Sequence, residues 1–212
     1  MADAAQHLRR ADPVLARLLD DVGPVAEREP TGDPYGALVR VIVGQQLSVT
    51  SARAIHGRLL QRFGGRPPTP AEVLADDPDD LRTAAGLSRA KTLFLRSLAE
   101  HIVAGELELD RLGDLDDDAL IAELTAVKGI GEWTAQIYLM TELARPDVLA
   151  VGDLGIRRAV QRAYGLADLP GRDELVALAE PWRPHRSAAC RLLWHSLDNA
   201  PVEPAVVEVR PG

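Results

Sequence analysis

Apolar residues recur along the chain at the spacing of α-helices, and no segment alternates apolar and polar residues long enough to predict a strand. Leu120, Leu124 and Val127 fall on one helical face. Further along, the segment from Glu132 to Ala144 is apolar on nearly every side, which predicts a helix in the protein interior. We therefore predict an all-α fold.

Residues that favour helix N-termini divide much of the chain into short helices. Asp33 and Asp77 each precede a proline, which suits the first position of a helix. The segment from Thr69 to Glu72 has the pattern of a capping box. Ser48 and Ser88 are predicted to begin two more helices, and the C-terminal part of the chain predicts a further two.

The two ends of the chain carry weaker patterns. Residues 1–30 predict one short helix, Asp12 to Leu19, followed by a loop. Residues 201–212 contain three prolines and no helical stripe, so we expect them to form a tail.

The tightest predicted turn runs from Lys128 to Gly131 and reads Lys-Gly-Ile-Gly. Its two glycines allow backbone conformations that other residues avoid. They also leave the amides at the start of the next helix uncovered, which makes an anion site suited to a nucleic-acid phosphate. Asp153 follows Gly131 by 22 residues and is predicted to cap a third helix.

Composition limits the possible function classes. The 212 residues include one cysteine, Cys190, which excludes an intramolecular disulfide and any four-cysteine metal or iron–sulfur site. No apolar run approaches about 18 residues, so no membrane-spanning helix is predicted. The N-terminus lacks the apolar core of a signal peptide, and we expect a cytoplasmic protein.

The net charge of -8 is unusual for a protein that binds nucleic acid. Acidic residues concentrate in residues 76–80 and 110–118, whereas basic residues cluster around Arg157 and Arg186. Solvated helix faces remain the ordinary alternative for each arginine. The charge distribution therefore leaves nucleic-acid binding open.

Several short stretches stand out because they occur together between about Pro34 and Leu197. They are Val43 to Ser48, Gly129 to Ala135, Asp153 to Gly155, Trp182 to Pro184, Arg186 with Ser187, and Trp194. In combination they closely resemble the helix-hairpin-helix (HhH-GPD) superfamily of DNA glycosylases, and within it the group of bacterial 3-methyladenine DNA glycosylase II (AlkA). A glycine hairpin alone would be a weak signal.

The resemblance implies two helical lobes that flank a DNA-binding cleft. Lobe A is expected at about residues 34–115, and lobe B at about residues 116–198 together with the N-terminal segment. The implied partner is double-stranded DNA with alkylated bases, bound by a monomer at the nucleoid of a bacterium. No cofactor and no iron–sulfur cluster are expected, although the hairpin's backbone carbonyls are candidates to hold a monovalent cation.

The resemblance makes Asp153 the catalytic carboxylate. Breaking an N-glycosidic bond requires a carboxylate that stays ionised beside a sugar with oxocarbenium character. A helix N-terminus favours that charge, and Arg157 lies one turn further on. From the local sequence alone, a plain N-cap is the commoner role for such an aspartate. The hairpin upstream favours the catalytic interpretation.

The residue two positions after Gly131 decides the reaction type in the resembling enzymes. Members that also cut the DNA strand have a lysine there, which forms a Schiff base. This chain has Trp133 at that position, and Lys128 lies in the turn. The resemblance therefore implies simple hydrolysis that leaves an abasic site.

Three aromatic residues are candidates for the base pocket. Trp133 and Trp194 match pocket positions of the resembling enzymes, and a positively charged alkylated purine should stack well on indole. Tyr138 is the third candidate. Core packing is the ordinary alternative for both tryptophans.

The residues assigned to DNA binding are Gln45, Gln46, Lys128, Gly129, Gly131, Arg157 and Arg186. Gln46 is our first choice for the side chain that fills the gap left by a flipped base, and an ordinary surface position is the alternative.

The sequence departs from the family pattern at Lys128 and Ala150, where relatives commonly have proline. We predict a monofunctional DNA glycosylase that excises bases of the 3-methyladenine and 7-methylguanine type. The alternative is a helix-hairpin-helix protein that binds DNA without cutting any bond. An enzyme for oxidised or mismatched bases is disfavoured because the lysine and the cysteine cluster are both missing.

Overall fold

A computed structural model describes residues 2–23 and 30–198, and in this part of the chain all regular structure is helical. The prediction of an all-α fold is confirmed. The α-helices are α1 (Ala2–Ala11), α2 (Pro13–Val22), α3 (Pro34–Gly44), α4 (Val49–Arg62), α5 (Pro70–Ala75), α6 (Pro78–Ala85), α7 (Arg89–Val103), α8 (Asp117–Thr125), α9 (Glu132–Thr141), α10 (Leu154–Tyr164), α11 (Arg172–Ala179) and α12 (Arg186–Asp198). Short 3-10 helices lie at Leu109–Asp114 and Glu180–Trp182.

Five of the predicted helix caps are confirmed, those at Asp33, Ser48, Thr69, Asp77 and Ser88. Asp33, Ser48 and Ser88 each accept a hydrogen bond from a backbone N–H in the first turn of the helix that follows. Asp77 does the same for α6, and Thr69 forms a complete capping box. These contacts are local, so their sequence pattern was sufficient to place the helix starts.

The N-terminal segment differs from its prediction. Two helices, α1 and α2, occupy a region where the sequence predicted one. Ala4 and Leu8 of α1 are buried, and α1 packs against α2 and α12. Two apolar positions are too few to predict a helix from the sequence. Helix α1 is stabilised instead by packing against distant helices, which no local pattern reveals. The predicted tail, residues 201–212, lies outside the described residues.

Two compact units divide the chain, with their boundary between Asp153 and Leu154. One contains α1, α2 and α10 to α12, and the other contains α3 to α9. The expected lobes divide instead at about residue 115. The difference arises because α8 packs on α9 and α9 packs on α3, so both hairpin helices group with the preceding helices.

Helix α3 and helix α9 form the centre of the second unit. Eight of the eleven residues of α3 and six of the ten residues of α9 are buried, as the apolar pattern of α9 predicted. The predicted end of α9 at Ala144 is wrong, because the helix stops at Thr141. Ala144 has a φ of 50°, and the Arg145 N–H donates to the Leu139 carbonyl at 3.0 Å, so the chain turns back onto the end of the helix.

Candidate functional site

The hairpin between α8 and α9 is anchored by buried apolar side chains. Leu120 and Leu124 of α8 are completely buried, and Val127 and Ile130 in the turn are nearly so. The Ile130 N–H donates to the Val127 carbonyl at 3.0 Å, which closes the turn. Lys128 is exposed in this turn, as predicted. The turn is therefore held from the core side, and its polar edge faces the surface.

The two hairpin glycines are needed for different reasons. Gly129 has a φ of 92°, and a Cβ atom there would lie 2.0 Å from the ring of Phe94. Gly131 has a φ of -99°, which any residue adopts, and a Cβ atom there would meet nothing within 4 Å. The expectation that both glycines serve the turn geometry thus holds for Gly129 alone. Gly131 instead leaves open space beside the first amides of α9.

Gln45, which was predicted to contact DNA, lies against the hairpin. Its amide Nε2 donates to the Gly129 carbonyl and to the Thr134 hydroxyl oxygen, both at 2.9 Å. Gln46 is exposed and has a φ of 55°, in the left-handed region that residues with a Cβ atom seldom adopt. The two neighbouring glutamines therefore differ, since one holds the hairpin and the other projects to the surface.

Helix α7 contributes two contacts that the sequence did not predict. Lys91 Nζ donates to the Val43 carbonyl in the last turn of α3 at 2.6 Å, and burial lowers the pKa of Lys91. Phe94, one turn further along, lies against Gly129. Lys91 lies 48 positions from Val43, and Phe94 lies 35 positions from Gly129. No local sequence pattern pairs residues so far apart, so only the fold reveals these contacts.

The candidate catalytic residue is bound by the candidate stacking residue. Trp133 Nε1 donates to Asp153 Oδ2 at 2.8 Å. Both residues are half-buried, and Asp153 directly precedes α10. The Asp153 N–H donates to the Ala150 carbonyl at 3.0 Å, which tightens the turn before it. Sequence reasoning named both side chains but not the hydrogen bond between them.

Tyr138 is the candidate pocket residue that lies away from the surface. It is completely buried in α9, and its hydroxyl has no hydrogen-bond partner among the described residues. Burial raises the pKa of Tyr138, and the nearby Glu142 raises it further. A base could reach this hydroxyl only if neighbouring side chains moved.

The remaining predicted residues belong to the first unit. Trp194 and Arg186 are half-buried in α12. Arg157 lies in α10, where its Nε donates to the Pro170 carbonyl at 2.8 Å. That hydrogen bond gives Arg157 a structural role in addition to its predicted contact with DNA.

Comparison with known proteins decides the family. Residues 39–184 match the model of a family described as "HhH-GPD superfamily base excision DNA repair protein". The chain belongs to this superfamily. The resemblance drawn from its motifs is confirmed.

Individual relatives agree with the family match. The chain is 33% identical over 199 residues to DNA-3-methyladenine glycosylase 1 of Schizosaccharomyces pombe. The matched region covers 92% of this chain and 86% of the relative. The chain is also 30% identical over 170 residues to the putative DNA-3-methyladenine glycosylase YfjP of Bacillus subtilis. This second match covers 77% of this chain but only 59% of the relative's length. A solved structure of the Schizosaccharomyces pombe 3-methyladenine DNA glycosylase Mag1, in complex with abasic DNA, matches with a TM-score of 0.87 and 32% identity. That match covers 93% of this chain and 98% of the solved one.

Proposed function

We propose that this protein is a monofunctional DNA glycosylase that hydrolyses the N-glycosidic bond of alkylated bases in base excision repair. The observation that carries the proposal is that Asp153 is only half-buried beyond the hairpin while the indole N–H of Trp133, a candidate stacking surface, donates to its carboxylate. A protein that only bound DNA would not need an accessible carboxylate at this place. The names of the relatives support the same substrate class.

Asp153 is proposed to act on the sugar. As the glycosidic bond breaks, the base departs with the bonding electrons and the sugar gains positive charge. An ionised carboxylate beside it stabilises that charge. The oxygen of a water molecule then bonds to the sugar carbon and releases a proton to the carboxylate or the solvent. Trp133 holds one carboxylate oxygen, Oδ2, and thereby restricts how the carboxylate can turn.

Base recognition is proposed to use the indole rings. A base methylated at a ring nitrogen carries positive charge, which favours stacking on an indole ring; the candidates are Trp133 in one unit and Trp194 in the other. Such a base also leaves as a neutral molecule, so the enzyme does not have to protonate it. Tyr138 is completely buried, so it joins the proposed base recognition only if neighbouring side chains move.

DNA binding is proposed to centre on the hairpin. The open space at Gly131 lets a phosphate approach the first amides of α9. Lys128, Arg157 and Arg186 are proposed to add phosphate contacts, and Gln46 to fill the gap left by the flipped base. We expect a monomer that binds double-stranded DNA. No helix in the described residues is long and apolar enough to cross a membrane.

No cofactor takes part in the proposed reaction. Among the described residues, no group of three or more histidines, cysteines, aspartates or glutamates is placed to hold a metal ion. A monovalent cation at the hairpin would share carbonyls that already accept one hydrogen bond, such as those of Val127 and Gly129. Each carbonyl oxygen keeps a second lone pair, so we propose that a cation bound there would act as a structural support.

The proposal is tested by incubating the protein with methylated duplex DNA and separating the released bases by chromatography. We expect free 3-methyladenine or 7-methylguanine, no base release from unmethylated DNA, and an intact strand that carries an abasic site. Borohydride should trap no covalent protein–DNA adduct, because Trp133 cannot form a Schiff base. Binding to DNA without release of any base would favour the non-catalytic alternative, and a trapped adduct would direct attention to Lys128.

A further inference from the structure

One side chain links the hairpin to the turn between α3 and α4. The Gln45 amide donates to the Gly129 carbonyl in the hairpin turn and to the Thr134 hydroxyl oxygen in the first turn of α9. A carbonyl oxygen can only accept, so this contact fixes which end of the Gln45 amide faces the hairpin. Gln45 therefore joins two segments that are 84 and 89 residues away from it in the chain.

The turn that Gln45 begins holds its next residue in an uncommon conformation. Gln46 has a φ of 55° and is exposed. The Leu47 N–H donates to the Gly44 carbonyl at 3.2 Å, and Ser48 caps α4 directly afterwards. A left-handed residue with a Cβ atom persists where its surroundings determine it, as they do here on both sides.

Helix α7 supports both of the linked segments. Lys91 holds the last turn of α3 through the Val43 carbonyl, and Phe94 packs against Gly129 of the hairpin. Because Lys91 and Phe94 are separated by one helical turn, a single rigid element contacts both segments. Gln45 supplies the direct connection between them.

We propose that Gln45 is a positioning residue, which keeps the exposed Gln46 side chain at a fixed distance from the phosphate-binding hairpin. This inference rests on the proposed function, in which the hairpin amides bind the DNA backbone and Gln46 enters the gap left by the base. With the link intact, binding a phosphate also places Gln46 at the base step to be opened. Gln45 does this through protein contacts and need not touch DNA.

The test replaces Gln45 with a side chain of similar length that cannot donate, Gln45→Met. Single-turnover excision is measured on two duplexes that carry 7-methylguanine. In one duplex the lesion lies opposite cytosine; in the other it lies opposite an abasic site, so that no base pair has to be opened. We expect the excision rate to fall about tenfold on the paired lesion and about twofold or less on the unpaired lesion. The two hydrogen bonds that Gln45 loses should matter mainly for the step that opens the base pair. Affinity for undamaged duplex should stay near wild type.

A fluorescence readout adds a test that does not depend on detecting a released base. 2-Aminopurine next to the lesion brightens when the neighbouring base is unstacked, and Gln45→Met should reduce this rise. Thr134→Val, which removes one of the two acceptors, should reduce it less. Gln161→Met is the matched control, since Gln161 Nε2 also donates to a backbone carbonyl, that of Ala167 at 3.1 Å, but in α10. This control should behave as wild type.

The outcomes separate the inference from the proposed function. Absence of excision by the wild-type protein would overturn the proposed function, while the fluorescence comparison would still test the link. Equal losses on paired and unpaired lesions, in variants that melt like wild type, would mean that Gln45 only supports the fold. Weaker binding to every duplex would mean that Gln45 contacts DNA directly, and both results overturn its positioning role.

Discussion

Two aspartates in different units of this protein share one local arrangement. Asp12 directly precedes α2 and accepts a hydrogen bond from the Trp182 indole N–H at 3.0 Å. Asp153 directly precedes α10 and accepts one from the Trp133 indole N–H at 2.8 Å. In both places a carboxylate at the start of a helix is bound by a tryptophan.

The surroundings of the two carboxylates differ. Asp12 is only 7% exposed, and its carboxylate accepts four hydrogen bonds, from Tyr164, Trp182 and the backbone amides of Val14 and Leu15. Asp153 is half-buried, so part of it reaches the surface. A carboxylate surrounded by protein donors stabilises a fold, whereas one that acts on a substrate must stay accessible. Accessibility, rather than the local motif, therefore distinguishes the structural aspartate from the catalytic candidate.

The largest expected effect comes from Asp153→Asn. Asparagine keeps the size of the side chain and is also a good N-cap, so the melting temperature and affinity for lesion DNA should change little. The lost negative charge matters most when the sugar becomes cationic, and we expect single-turnover excision to fall about 100- to 1,000-fold. Near-normal excision by a well-folded variant would leave Asp153 as a cap only, and the contrast with Asp12 would disappear.

The same substitution at the other aspartate, Asp12→Asn, should have the opposite profile. Losing charge-assisted hydrogen bonds should reduce the free energy of unfolding by about 2 kcal/mol and lower the melting temperature by about 4 to 8 °C. The excision rate of the folded protein at lower temperature should remain as in wild type. A large loss of rate without a loss of stability would contradict the structural role of Asp12.

Acid should erase the difference between wild type and Asp12→Asn. Burial raises the pKa of Asp12, but hydrogen bonds from Tyr164, Trp182 and the backbone outweigh burial and leave the pKa below its ordinary value of 3.8. A lowered pKa contributes stability above the ordinary value, and that contribution is lost as the pH falls through the folded-state pKa. Thermal melts should therefore show a constant gap above about pH 5 and a shrinking gap below about pH 4.

The two tryptophans provide the next comparison. Trp133→Phe keeps an aromatic ring for stacking but removes the N–H that holds Asp153, so we expect about a tenfold slower chemical step with little change in stability. Trp182→Phe removes the matching donor to Asp12 and leaves a gap in the core, so it should lower stability by about 1 to 3 kcal/mol and spare the rate. Single-turnover rates and melting curves on both variants check this pair. Unchanged excision by Trp133→Phe would show that the hydrogen bond is not needed for orientation.

The sequence predicted those features that depend on neighbouring residues. The caps at Ser48 and Ser88 and the buried face of α8 were correct, because caps and helical stripes are local signals. Helix α1 and the end of α9 were wrong, because packing against distant helices stabilises α1 and the chain turns back at left-handed Ala144 after α9.

Candidate site residues could be named from the sequence, but their contacts could not. Asp153 and Trp133 came from a family resemblance, and their catalytic and stacking roles remain predictions. The two aromatic partners of Asp12 lie 152 and 170 residues away, and the contact between Gln45 and the hairpin spans 84 residues. No local pattern encodes such pairs, which form only when the helices pack.

The smallest expected effect comes from Gly131→Ala, which should change DNA binding without affecting either carboxylate. The added methyl group meets no protein atom within 4 Å, and alanine can adopt this backbone conformation. The substitution should therefore lower the free energy of unfolding by at most about 1 kcal/mol. It narrows the space for a phosphate, and binding should weaken a few-fold, alike for every DNA sequence. For wild type we expect log affinity to fall with log salt at a slope of roughly -2 to -5. In the variant this slope should become shallower by up to about 0.9, which corresponds to the loss of one phosphate contact.

Gly129→Ala is the contrasting variant. Gly129 has a φ of 92°, and the added methyl group would overlap the Phe94 ring, so this substitution should unfold the hairpin. An unchanged affinity and salt slope for Gly131→Ala would place the phosphate contacts elsewhere, whereas a loss of excision at saturating DNA would tie the hairpin to the chemistry of Asp153.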